Sequence, residues 1–156
     1  MPGQLSMVGG DRRVFGARMS LLPETAGFVE AFCARHRITR DDAMRLALIV
    51  EELFTNTVVH GYRGESDAPI VMVLSARDDD VVILYEDAAP RFDPLSVPPV
   101  DVSTPIESRP IGDLGVHLVR QFAGTARYVR EDVRNQLWLS VRCEGLERAV
   151  RTIARR

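Results

Sequence analysis

Apolar positions along the chain change period four times, and each change marks an element. In "PETAGFVEAFCARHR", which begins at Pro23, residues Ala26, Val29, Phe32 and Cys33 recur at helical spacing, and proline suits a first turn. "TRDD" then offers Thr39 as an N-cap with Asp42 three residues on, a variant of the capping box. A second helix is predicted from about Asp41 to about His60, where Gly61 is placed to supply a left-handed cap. From Pro69 the pattern becomes that of strands: "PIVMVLSAR" and "DDDVVILYEDA" are rich in Val, Ile and Leu around a polar turn, as in an antiparallel hairpin. "IGDLGVHLVRQFAG" reads as a glycine-bounded helix with Leu114, Leu118, Val119 and Phe122 apolar, "TARYVREDVRNQLWLSVRC" as a second hairpin, and "EGLERAVRTIARR" as a short terminal helix. In "DRRVFGARMS", residues 11–20, the alternation is weak and fits either a first strand or a loop.

Strand-helix alternation of the doubly wound kind is absent from this order. The expected class is α+β: a two-layer sandwich, its sheet mixed and mostly antiparallel, with helices on one face. Residues 1–10 read as a flexible leader and 11–156 as one domain. Six of the nine prolines lie between Pro90 and Pro110, too many for regular structure, and a long loop inside a compact domain is usually functional.

Composition narrows the function classes. The chain has 156 residues, 46% hydrophobic and 27% charged, as in soluble globular proteins, and its net charge of -2 provides no global field for nucleic acid or anionic membrane. All 20 basic residues are arginine, which suggests a GC-rich genome rather than a function. Cys33 and Cys143 are far apart, without the spacing of a zinc site or a disulfide framework, and suit a reducing compartment. "MPGQLSMVGG" lacks the apolar core of a signal peptide, and no apolar run approaches the roughly 20 residues that span a bilayer, so a cytoplasmic protein is expected.

Three short motifs could carry chemistry. In "EELFTNTVVHGY", residues 51–62, Glu52, Asn56 and His60 are four apart and form a stripe drifting by about 40° per step, while Leu46, Val50, Leu53, Phe54, Thr57 and Val58 lie mostly to other sides. A carboxylate can take a proton and an Asn carbonyl is a hard oxygen suited to Mg²⁺, yet a solvated helix face explains an isolated ExxxN equally. In "YEDAAPRFDP", Asp87 ends an apolar strand, where it can accept from an exocyclic amine or simply form an Asx turn. "GDLG", Gly112, Asp113, Leu114 and Gly115, opens a helix whose free N–H groups favour an anion, although glycine there also fits plain turn geometry. It is not a Walker loop, since the chain has no lysine. His117 lies beside this turn, and His36 ends the first helix, towards the surface. Trp138 alternates with Leu137 and Leu139 and reads as a packing residue.

In this order the three motifs resemble the GHKL, or Bergerat-fold, ATP-binding superfamily. Within it "EELFTNTVVHGY", "RFDP" and "GDLGVHLVRQFAG" resemble the small RsbW-type anti-sigma factors, which are serine-protein kinases; the resemblance spans about residues 12–143. It implies that Glu52 acts as or orients the general base, that Asn56 helps to bind Mg²⁺ and the triphosphate, and that Asp87 recognises the adenine amino group. It further implies a nucleotide contact at Ala89, a glycine-rich turn at Gly112, Asp113, Leu114 and Gly115 beside His117, and an ATP lid over about residues 93–111. The implied partners are a STAS-domain anti-anti-sigma protein, phosphorylated on serine, and a sigma factor held in sequestration; no direct nucleic-acid or membrane contact is implied, and a homodimer is allowed.

Two positions depart from the family pattern. Ala89 stands where glycine is usual and adds a Cβ to the pocket wall, and Asp113 replaces one glycine of the GGLG turn and brings negative charge to the phosphate end. They motivate the alternative of a non-catalytic partner-binding regulator with a degenerate nucleotide site. The ATPase module of a histidine kinase is a further reading; against it, the chain shows no upstream helical hairpin with a phospho-accepting histidine.

Overall fold

A computed structural model describes residues 10–96 and 113–144, and the side chains among them except those of 113–116. The expected terminal helix beyond Glu144, Gly112 and most of the expected lid lie outside the described residues. β1 (Asp11–Ala17) is a strand, which settles the open choice at 11–20. α1 (Leu22–Arg35) follows a single 3-10 turn, and it buries Thr25, Val29, Phe32 and Cys33, while Ala26 is only half buried. His36, at its C-cap, is half buried, its ring 4.3 Å from that of Phe32.

α2 (Arg40–Asn56) starts as predicted: Thr39 Oγ1 accepts the Asp42 N–H at 3.3 Å and donates to Asp42 Oδ2 at 3.0 Å. The predicted end is corrected. The α-helix stops at Asn56 and widens into a π-turn, Thr57–Gly61, and Gly61 has no left-handed backbone; Arg63 (φ 57°) and Gly64 (φ 141°) take that role. The wider turn is held by Tyr62 N–H donating to Thr57 O and Gly64 N–H to Val58 O.

β2 (Ser66–Arg77) and β3 (Asp80–Asp87) form the first hairpin, β4 (Thr125–Glu131) and β5 (Arg134–Arg142) the second, with α3 (Asp113–Phe122) before it. Each hairpin turns through an aspartate, Asp78 at φ 50° and Asp132 at φ 51°, a region that this short polar side chain tolerates. The sheet runs β1-β2-β3-β5-β4 and all four described pairings are antiparallel, which gives the expected α+β sandwich with its mostly antiparallel sheet.

Period-two alternation gives the sheet one helix-facing side. Phe15, Ile70, Met72, Leu74, Val81, Ile83, Leu137 and Leu139 point to that side and form one core with Val29 and Phe32 of α1, Leu46, Ile49 and Phe54 of α2, and Val119 of α3. Full burial of each large side chain contributes about 1.5–3 kcal/mol. Phe15 stands edge-on to both Phe28 and Phe54 at 6.1 and 6.4 Å. Trp138 lies on the other side, cross-strand from Leu84 and Arg127, in keeping with its place between the buried Leu137 and Leu139. Cys33 and Cys143 are free and buried, and burial pushes their thiols up to about 11 and about 12.

Candidate functional site

Sheet register assembles the floor of the site. Asp87, the last residue of β3, pairs with Asn135 on β5, which pairs with Arg130 on β4; one step inward the row is Tyr85, Leu137 and Tyr128. By the same alternation that buries Ile83, these rows face the helices. Above them the C-terminal end of α2 and its π-turn leave a cavity of about 420 Å³, the size of a small-molecule site. Its walls include Asn56, Thr57 and His60 on the helix side, Ala89 to Phe92 after β3, and Val119 of α3.

The Asp87 carboxylate is 8% exposed and nearly saturated. Its Oδ1 accepts from Asn135 Nδ2 at 2.8 Å and from the Ala89 N–H at 3.1 Å, and its Oδ2 accepts from Thr57 Oγ1 at 2.9 Å. A carboxylate offers about four lone-pair sites, so one acceptor position on Oδ2 stays open for a ligand N–H. Thr57 has a single hydrogen, which goes to the charged acceptor; its oxygen, 2.6 Å from the Tyr85 hydroxyl, then accepts from Tyr85. Burial, and next the Asp87 charge, hold the Tyr85 hydroxyl well above the usual tyrosine range, so it stays protonated and donates.

The helix stripe is divided by the structure. Asn56 and His60 line the cavity, whereas Glu52 does not. Glu52 is half buried one turn earlier, and burial, then the neighbouring Glu51, raises its affinity for protons. No side-chain hydrogen bond engages Glu52, Asn56 or His60 among the described residues, so all three are free to meet a ligand.

Gly61 and Ala89 explain each other. A Cβ on Gly61 would lie 3.0 Å from the Ala89 Cβ, so this contact holds one methyl group and not two. Ala89 is 3% exposed, with no left-handed φ, and its N–H serves Asp87. The Cβ at position 89 is therefore accommodated by glycine across from it, at the π-turn.

In the glycine-rich segment, Asp113, Leu114 and Gly115 form the first turn of α3, and Gly112 lies outside the described residues. His117 is half buried and absent from the cavity wall, which Val119 joins instead. Tyr128, Arg130 and Asn135 lie in no motif, and Thr57 and Tyr85, although inside two of them, carry no mark there, since only cross-strand register or the π-turn brings these five to Asp87. Among the described residues no cluster of three or more His, Cys, Asp or Glu side chains could hold a metal, and no helix is long and apolar enough to cross a membrane.

Residues 15–141 match the model of the histidine kinase-like ATPase domain, and the chain belongs to that family. Among solved structures it is similar to the RsbU and RsbW domains of Rv1364c from Mycobacterium tuberculosis, with a TM-score of 0.60 at 14% identity. The similarity covers 85% of this chain and 32% of that one, so the chain spans about a third of its neighbour's length; at this identity the likeness is one of fold. No curated protein matches the chain.

Proposed function

We propose that this histidine kinase-like ATPase domain binds ATP with Mg²⁺ in the cavity above Asp87 and acts as an RsbW-type anti-sigma regulator and serine-protein kinase. The observation that carries the reading is the buried Asp87 carboxylate, held on three sides with one acceptor position open, opposite an unengaged Asn56 on the facing helix. That acceptor fits the exocyclic amine of adenine, and the Asn56 carbonyl is a hard oxygen of the type Mg²⁺ takes beside phosphate and water. Bound ATP supplies the γ-phosphoryl group and Mg²⁺ neutralises its charge.

Glu52 takes the proton of the attacking serine hydroxyl as its oxygen bonds to phosphorus and the bond to the ADP oxygen breaks. A carboxylate whose proton affinity is raised by burial is better matched to that task near neutral pH. The start of α3, with the backbone of Gly112, Leu114 and Gly115, takes the phosphate end beside His117, under a lid over about residues 93–111; residues 11–156 act as one domain. The substrate is a serine of a STAS-domain anti-anti-sigma protein, the second partner a sigma factor, and the compartment the cytoplasm. Fold likeness to a structure that includes an RsbW domain supports the RsbW-type reading, from which these partners are inferred.

A non-catalytic, partner-binding regulator is the second reading, and the position of Glu52 outside the cavity wall favours it. Incubation with labelled ATP and the cognate STAS protein decides between them: transfer to serine that Glu52→Gln abolishes supports the kinase. Saturable Mg²⁺-dependent binding of a fluorescent ATP analogue without any transfer leaves the regulator.

A further inference from the structure

We infer that Asn135 is the positioning residue that sets base selectivity in this cavity, by locking the Asp87 carboxylate and the 89–92 wall into one arrangement. The inference rests on reading the cavity as a nucleotide site. Asn135 is 8% exposed and lies where three strands meet. Its Nδ2 faces acceptors only: Asp87 Oδ1 at 2.8 Å, Ala89 O at 3.0 Å and Pro90 O at 3.2 Å. Its Oδ1 faces donors only: the Tyr128 hydroxyl at 2.6 Å, Arg130 Nη1 at 3.0 Å and the Phe92 N–H at 3.4 Å. The amide therefore has a single chemically consistent orientation. Arg130 Nη1 also donates to Ala89 O at 3.0 Å, so side chains from β4 and β5 tie down the segment that leaves β3.

The consequence for recognition follows from lone pairs. With Oδ1 filled by Asn135 and Ala89, the carboxylate cannot turn, and its open Oδ2 position points at the ligand as an acceptor. A base with an amine there is matched, whereas a carbonyl, as in hypoxanthine or guanine, sets lone pair against lone pair. Without the Asn135 amide, the carboxylate can rotate or recruit water and the distinction weakens. Asn135 touches the carboxylate and the wall, and it acts on the base through Asp87.

Substitution to aspartate gives a readout that a packing role would not. In Asn135→Asp, a second carboxylate oxygen faces Asp87 and two carbonyls, and such a pair retains one proton above the ordinary carboxylate range. The charged and titratable groups facing the pair are Arg130 and Tyr128 on β4, Tyr85 on β3, Tyr62 after the π-turn, and His60, Arg63 and Arg91 around the cavity. All seven are common to wild type and variant, so the difference between their pH profiles isolates the pair. A fluorescent ATP analogue is displaced with ATP and with inosine triphosphate, in wild type, Asn135→Asp and Asn135→Ala. Asn135→Ala should lower the ATP-to-inosine-triphosphate preference roughly tenfold, the scale of one hydrogen bond to a charged group. Asn135→Asp should bind ATP weakly at high pH and recover as pH falls and a proton bridges the pair.

Two measurements need no nucleotide. Carboxyl carbon NMR of Asn135→Asp should show two coupled proton steps, and the Asn135 side-chain amide hydrogens of wild type should exchange slowly. An unchanged base preference, a loss that low pH does not reverse, independent titrations, or fast amide exchange overturns the role of Asn135. Absence of any nucleotide binding by the wild type instead overturns the ATP reading itself.

Discussion

The two walls of the cavity are built on opposite plans. On the sheet side, Asp87, Asn135 and Tyr85 are buried and hydrogen-bonded, with Thr57 of the π-turn reaching across to Asp87 and Tyr85, so their positions are fixed before any ligand arrives. On the helix side, Asn56 and His60, with Glu52 a turn away, make no side-chain hydrogen bond among the described residues and are all part-exposed. The first plan suits recognition, because a rigid set of acceptors discriminates among bases. The second suits metal, phosphate and proton transfer, because groups already satisfied within the protein have nothing to offer a ligand.

The largest expected effect tests the fixed wall. In Asp87→Asn the amide oxygen can still accept from Asn135 and Ala89, and Thr57 can accept from the new NH₂, so urea unfolding should change by no more than about 1 kcal/mol. The open acceptor becomes a donor, and affinity for an ATP analogue should fall by roughly 100-fold by titration. A large loss of stability with unchanged binding would break the contrast. On the free wall, Asn56→Ala should weaken Mg²⁺-dependent analogue binding by roughly tenfold, the scale of one ligand to a charged group, and leave the thermal midpoint nearly unmoved. A marked drop in that midpoint would mean that Asn56 is structural after all.

Where the walls meet, Gly61→Ala should cost about 1–3 kcal/mol in urea unfolding, because two methyl groups compete for one space. Adding Ala89→Gly should recover most of it; simple additivity in the double variant would remove the coupling. The smallest effect is the pH dependence of Glu52. Its folded pKa is raised, by burial first and Glu51 second, so its contribution to stability is present below the unfolded pKa and is lost as pH rises through the folded one. Glu52→Gln should therefore gain on wild type across that interval, and identical stability profiles for the two proteins would show that Glu52 is ordinarily solvated.

The fold was legible wherever a period was sustained. Both hairpins and α1 follow from apolar spacing, and the Thr39 and Asp42 cap from its residue types. The end of α2 was misread because Gly61 looks like a left-handed cap, whereas its lack of a side chain is needed for the approach of Ala89. That every described pairing is antiparallel could not be read locally, because strand direction depends on pairing and not on local pattern. Within the site, Asn56, His60, Asp87 and Ala89 could be picked out as motif residues and do line one cavity. Thr57 was set aside from the stripe because an ideal α-helix turns it away, and the π-turn with its bond to Asp87 reverses that.

By itself the sequence determined which segments are helix or strand, which faces are apolar, and that an ordered set of motif residues belongs to a nucleotide-binding family. Those properties are local, or accumulate along the chain as spacing. Only the tertiary structure decided that Asn135, Arg130 and Tyr128 stand behind Asp87, that Gly61 makes room for Ala89, and that Glu52 lies outside the cavity wall. Each depends on strand register or on how closely two backbones approach, and these are fixed by packing between segments distant in the chain.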